Sequence, residues 1–130
     1  MSSTYPLDPL SPDELESVVA AARRCWNLEA HHLFAMVQLN EPSKAELALG
    51  GYLERQARVT IWDRKRAVVT EGVITTGGVS KSYQEIKGAK SPISVVESAI
   101  ALNVVRQDQS VKNALAKRGI QDINEVHMET

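Results

Sequence analysis

The sequence has 130 residues, 43% hydrophobic and 24% charged, with 7 Gly, 5 Pro and one Cys, which excludes a disordered, collagenous or disulfide-stapled chain. Fifteen Lys and Arg against sixteen Asp and Glu leave a formal charge of −1, so the total does not point to nucleic acid or an anionic membrane. The local balance is less even, with eight bases against four acids over residues 51–90.

Ser11-Pro12-Asp13-Glu14 opens a helix: Ser11 caps, Pro12 occupies a first-turn position that needs no N–H, and Glu14 completes a capping box. The helix is expected over about Pro12–Cys25, with Leu15, Val18, Val19, Ala22, Cys25 and Trp26 forming its apolar face. His32–Leu39 is apolar, too short for a second long helix, and stops at Asn40-Glu41-Pro42; it reads as a first strand. Arg58–Asp63 alternates Val59, Ile61 and Asp63 against Arg58, Thr60 and Trp62. With the β-branched Ala67–Thr75 it forms a hairpin turned at Arg64-Lys65-Arg66. Thr76-Gly77-Gly78 then leads into a strand over Val79–Ile86, giving an antiparallel meander.

After the polar stretch Lys87–Pro92 the pattern turns helical, and a domain boundary is placed near residue 90. Ser94-Val95-Val96-Glu97 repeats the capping box and opens a helix to about Gln107, Asp108 caps a shorter one to Arg118, and Gly119-Ile120 stops it. Glu125–Thr130 reads as a strand stub. Apolar positions Val95, Ala99, Leu102 and Val105, with Val111, Ala114 and Leu115, then lack a covering layer, so the second unit looks unfinished. No apolar run reaches the roughly 20 residues of a membrane span, and the opening residues lack the basic and apolar regions of a secretory signal. We expect a soluble chain.

Residues that could carry chemistry each have a plainer reading. His31 and His32 are adjacent, and successive side chains on a strand point to opposite faces, so they are not expected to share a metal; His127 stands alone. Cys25 falls on the apolar helix face, where burial would make it inert. Trp26 and Trp62 read as core or rim aromatics, Arg64-Lys65-Arg66 as a solvated turn and Thr76-Gly77-Gly78 as a turn without a phosphate cradle. No catalytic, cofactor-binding or metal-binding residue is therefore assigned.

The order of these features resembles the N-terminal region of copper amine oxidases. The resemblance rests on Tyr5-Pro6-Leu7-Asp8-Pro9-Leu10-Ser11-Pro12-Asp13-Glu14-Leu15, the Arg58–Asp63 strand with its aromatic-Asp pair Trp62-Asp63, and Asp108–Ile120 followed by Val126-His127-Met128. It implies an α+β fold in which a cystatin-like helix packs on an antiparallel sheet, followed by the helical start of a second similar domain. Residues 1–90 would be the first small domain and 91–130 an incomplete second, making the chain a fragment or truncated product.

The resemblance also implies a parent enzyme that oxidatively deaminates primary amines to aldehydes, releasing ammonia and hydrogen peroxide. Its copper ion is held by three His, and its topaquinone is made from a Tyr after Asn. Here Tyr5, Tyr52 and Tyr83 follow Thr4, Gly51 and Ser82, so this chain is expected to bind neither cofactor and to be inactive alone. Its role would be packing against the catalytic β-sandwich of a homodimeric parent or lining substrate access, in the cytoplasm or a peroxisome. The rival reading is a stand-alone cystatin-like module that binds a protein partner.

Overall fold

The computed structural model describes residues 5–51 and 53–129, in two compact units that divide between Pro92 and Ile93. The first unit runs α1 (Pro12–Cys25), β1 (His32–Asn40), α2 (Lys44–Leu49), β2 (Gln56–Asp63), β3 (Val68–Thr75) and β4 (Ser80–Ile86). The strands form one antiparallel sheet in the order β1-β2-β3-β4, each pairing with its sequence neighbour. The expected α+β architecture is the observed one.

The capping box of α1 is formed: the Ser11 hydroxyl accepts the Glu14 N–H, and the Glu14 carboxylate accepts the Ser11 N–H at 2.8 Å. The alternation read in β2 is also realised, since Ala57, Val59, Ile61 and Asp63 are buried between less buried neighbours. Register then decides the rest of that face, setting Ile61 opposite Phe34 and Thr70, and Val59 opposite Val37 and Gly72. Val18, Ala21 and Ala22 of α1 join Ala57, Val59, Ile61 and Ile74 in the core. The two small alanines let the helix approach closely, and each fully buried Val or Ile contributes about 1.5–3 kcal/mol.

Gly72 is required for space. A Cβ there would lie 2.5 Å from the Ser82 carbonyl oxygen and 2.6 Å from the Trp26 ring. Trp26 lies over this glycine, stacked on Tyr83 with ring centroids 4.4 Å apart, and its Nε1–H donates to Ser80 Oγ at 2.8 Å.

Three expectations need correction within these elements. The six-residue helix α2 was not anticipated, although Ser43 and Glu46 form the same capping box that marks α1. Cys25 is exposed. The buried stripe of α1 is Val18, Ala21 and Ala22, and Cys25, a turn further on, has its Sγ 3.8 Å from the Gly78 carbonyl oxygen. The hairpin strands are offset slightly from the expected bounds, β2 starting at Gln56 and β3 at Val68 after a turn in which Ala67 has a positive φ of 54°.

The second unit holds α3 (Val95–Gln107), α4 (Gln109–Ala116) and a 3-10 turn at Ile123–Glu125. Ser94 and Glu97 form a third capping box, and Asp108 caps α4 through the N–H groups of Ser110 and Val111. Gly119 adopts a φ of 85° where α4 stops, and Ile120 N–H returns to the Leu115 carbonyl, the expected C-terminal stop. The strand expected at Glu125–Thr130 is not formed: Glu125 ends the 3-10 turn that Asp122 caps, and 126–129 have no regular structure. Thr130 lies outside the described residues. None of the described side chains from Ile93 onward is buried, and Val95 and Val104 are 86% and 61% exposed.

Candidate functional site

At one end of the sheet the turn before β1 meets the β2–β3 hairpin, and three chemically active side chains converge there. Asp63, the last inward-facing residue of β2, is 3% exposed. Its Oδ1 accepts the N–H groups of Lys65 and Arg66 at 3.0 and 3.1 Å, which closes the hairpin turn. His31 Nε2 lies 3.6 Å from Asp63 Oδ1, and His32 Nε2 lies 3.6 Å from Asp63 Oδ2. Burial alone would raise the Asp63 carboxyl; the two backbone N–H donors and the neighbouring imidazoles outweigh it and hold the group below its ordinary value.

The two imidazoles do not diverge, contrary to the sequence reading. Their centroids are 4.1 Å apart with planes inclined by 36°. His31 sits in the turn before β1, so strand alternation does not apply to it. The turn is fixed by His32 N–H donating to the Glu29 carbonyl at 3.0 Å and by Glu29 N–H donating to His32 Nδ1 at 2.9 Å. His31 Nδ1 faces the Glu29 carboxylate at 3.3 Å, and Lys65 Nζ lies 3.7 Å from the same group.

A second polar centre went unread in the sequence. Arg55, just before β2, has only 9% of its side chain exposed and pairs with Glu14, Nε to Oε1, at 2.7 Å. Its Nη1 group donates to the carbonyls of Tyr5 and Pro6, and its Nη2 group to those of Asp8 and Pro9 and to Glu14 Oε2 at 3.2 Å. One planar fork thereby joins the opening segment, the start of α1 and the edge of β2. The bond from Arg55 holds the Glu14 carboxyl below its ordinary value despite partial burial, with Ser11 helping. No periodicity marks such a residue; an arginine beside a strand is a weak signal.

The other candidates stay apart. Arg64, Lys65 and Arg66 are exposed in the hairpin turn, with Arg66 paired to Glu85 at 2.8 Å. His127 belongs to the second unit, its side chain 85% exposed beside Glu129. Tyr83 packs on Trp26, and its hydroxyl is hydrogen-bonded to Thr70 at 2.9 Å.

What these elements define is a small α+β unit built around an antiparallel meander, followed in the chain by a helical unit in which no described side chain is buried. No family model matches the chain. It is 32% identical over 128 residues to a primary amine oxidase of Arthrobacter sp. (strain P1), and equally to a copper methylamine oxidase of that strain, covering 97% of this chain and 20% of theirs. It is 34% identical over 116 residues to the copper amine oxidase-like protein cao2 of Schizosaccharomyces pombe, covering 82% of this chain and 14% of that protein.

The chain belongs with the copper amine oxidases, as a counterpart of their N-terminal region. It spans about a fifth of the length of the Arthrobacter relatives. Among the described residues no three imidazoles come together as a copper ligand set. His31 and His32 meet a carboxylate and not a third imidazole, and the described tyrosines Tyr5 and Tyr83 follow Thr4 and Ser82.

Proposed function

We propose that this chain is a non-catalytic N-terminal portion of a copper amine oxidase, a packing module for the catalytic region whose surface also shapes the approach of substrate. In that reading residues 1–90 are a first, cystatin-like domain and residues 91–130 the start of a second. The parent deaminates primary amines, uses copper and topaquinone bound elsewhere, works as a homodimer in the cytoplasm or a peroxisome, and pairs this region with its catalytic β-sandwich. The similarity to a fifth of two amine oxidases supports the assignment.

The observation that carries the packing role is the state of α3. Its sequence VVESAIALNVVRQ is apolar around much of its circumference, yet none of its residues is buried. Helices of that composition are stable when covered on more than one side. The stand-alone binding module is less well supported, because it leaves α3 uncovered.

Hydrogen exchange on the purified chain tests this. Amides of α3 are expected to exchange orders of magnitude faster than those of β2 and β3, and primary amines are expected to release no hydrogen peroxide, with or without added copper. Protection of α3 equal to that of β2 in a monomeric chain would overturn the packing role, and amine-dependent peroxide would overturn the non-catalytic assignment.

A further inference from the structure

We propose that His31, His32 and Asp63 bind a divalent transition-metal ion of the zinc type where the α1–β1 turn meets the β2–β3 hairpin. One ligand atom from each of the three lies within 4.8 Å of the other two. Two imidazoles and a carboxylate suit zinc and its neighbours; calcium and magnesium prefer oxygen donors throughout.

The spacing agrees. Zinc bonds of about 2.1 Å in a tetrahedral shell put the donor atoms roughly 3.4 Å apart. His31 Nε2 stands 3.6 Å from Asp63 Oδ1 and His32 Nε2 3.6 Å from Asp63 Oδ2, too long for a hydrogen bond, and with the three ligand atoms within 4.8 Å of one another the side chains need to close in by no more than about 1.4 Å to share a metal. Asp63 is fixed beforehand by the Lys65 and Arg66 N–H groups. His31 has the usual outer support of a metal-bound imidazole, since its Nδ1 is 3.3 Å from the Glu29 carboxylate while Nε2 faces Asp63. Asp63 and Glu29 bring two carboxylates to the cluster, Lys65 lies beside Glu29, and Arg66, a cation within electrostatic reach of Asp63, is itself paired with Glu85, so an added positive charge is accommodated.

His32 sets the chemical condition for binding. Its Nδ1 accepts the Glu29 N–H at 2.9 Å, so in the metal-free chain the proton of a neutral ring resides on Nε2 and faces Asp63. To ligate through Nε2 the ring must carry that proton on Nδ1 instead, and the Glu29 N–H turns to water. Glu29 is exposed, so water can replace the lost partner. Binding therefore exchanges one imidazole tautomer for the other, a change that metal held elsewhere would not produce.

The test is titration of the tag-free full chain with Zn2+ by calorimetry, with the imidazole 15N–1H correlations followed in parallel. The expected result is a one-to-one saturable endpoint, transfer of the His32 proton signal from Nε2 to Nδ1, and no response to Mg2+ or Ca2+. His31→Gln, in a turn and so compatible with folding, is expected to weaken binding by at least about tenfold. Asp63→Asn is expected to do the same where circular dichroism shows it folded. His127→Ala and Cys25→Ser, which remove the remaining histidine and the one cysteine, are expected to leave the affinity unchanged. Absence of saturation, an unchanged affinity in His31→Gln, or loss of binding in His127→Ala or Cys25→Ser would each overturn the proposal.

Discussion

Replacing Gly72 by Ala tests the packing of the first unit at its tightest point. Gly72 faces α1 from the middle of β3, opposite Val59 on β2 and Tyr83 on β4. The added methyl would sit 2.5 Å from the Ser82 carbonyl oxygen and 2.6 and 2.7 Å from two atoms of the Trp26 ring. Ordinary carbon contacts are about 3.5–4.0 Å, so something must move by roughly 1 Å. The Ser82 oxygen belongs to the backbone of the paired strand, and the ring is held by its stack on Tyr83 and its bond to Ser80.

If the ring stays, overpacking costs about 1–3 kcal/mol. If it leaves, the stack and the hydrogen bond are lost at about 0.5–1.5 kcal/mol each, and the methyl still meets the Ser82 oxygen. Either way Gly72→Ala is expected to destabilise the unit by about 1–3 kcal/mol. With a urea dependence of about 1 kcal/mol per molar, the unfolding midpoint falls by roughly 1–3 M. Near-ultraviolet circular dichroism should lose the Trp–Tyr signal in the second case only. In the Trp26→Ala background the same change should cost less, because one of the two obstacles is gone. A midpoint within about 0.3 M of the parent, with the aromatic signal intact, would refute the claim that the ring covers this glycine.

Arg55→Ala is expected to lower stability by about 2–3 kcal/mol and Arg55→Lys by about 1–2 kcal/mol in the same urea assay, since lysine keeps the charge without the planar fork. Equal stability of all three proteins would show that the hub does not hold the opening segment. The Glu14 carboxyl lies below its ordinary 4.5 in the folded chain, so its contribution is complete above that pH and declines as the pH falls through the folded value. Acid titration followed by circular dichroism should therefore bring the parent and Glu14→Gln together below that range, and a constant gap at all pH values would contradict the ion pair. Cys25, exposed beside Gly78, is expected to react stoichiometrically with a thiol reagent in the native state; a need for denaturant would mean that the helix end is covered.

Local chemistry decides α1, α3 and α4, because each is opened by a side chain that reaches its own first turn: Ser11 with Glu14, Ser94 with Glu97, and Asp108 alone. The same code is present at Ser43 and Glu46, but the six-residue α2 it opens is under two turns long, too short for a helical period to stand out in the sequence. The inward row Val59, Ile61 and Asp63 was legible for an equally local reason, the two-residue period of a strand.

The burial of Gly72 under Trp26, the grip of Arg55 on four carbonyls, and the convergence of His31 and His32 on Asp63 were decided only by tertiary structure. Each joins residues some thirty to fifty positions apart, through a strand register and a turn geometry that no short window of sequence contains. His31 shows the reason most plainly: one residue inside β1 it would have pointed away from its neighbour. In the turn, the hydrogen bonds between Glu29 and His32 bring the two rings to the same side.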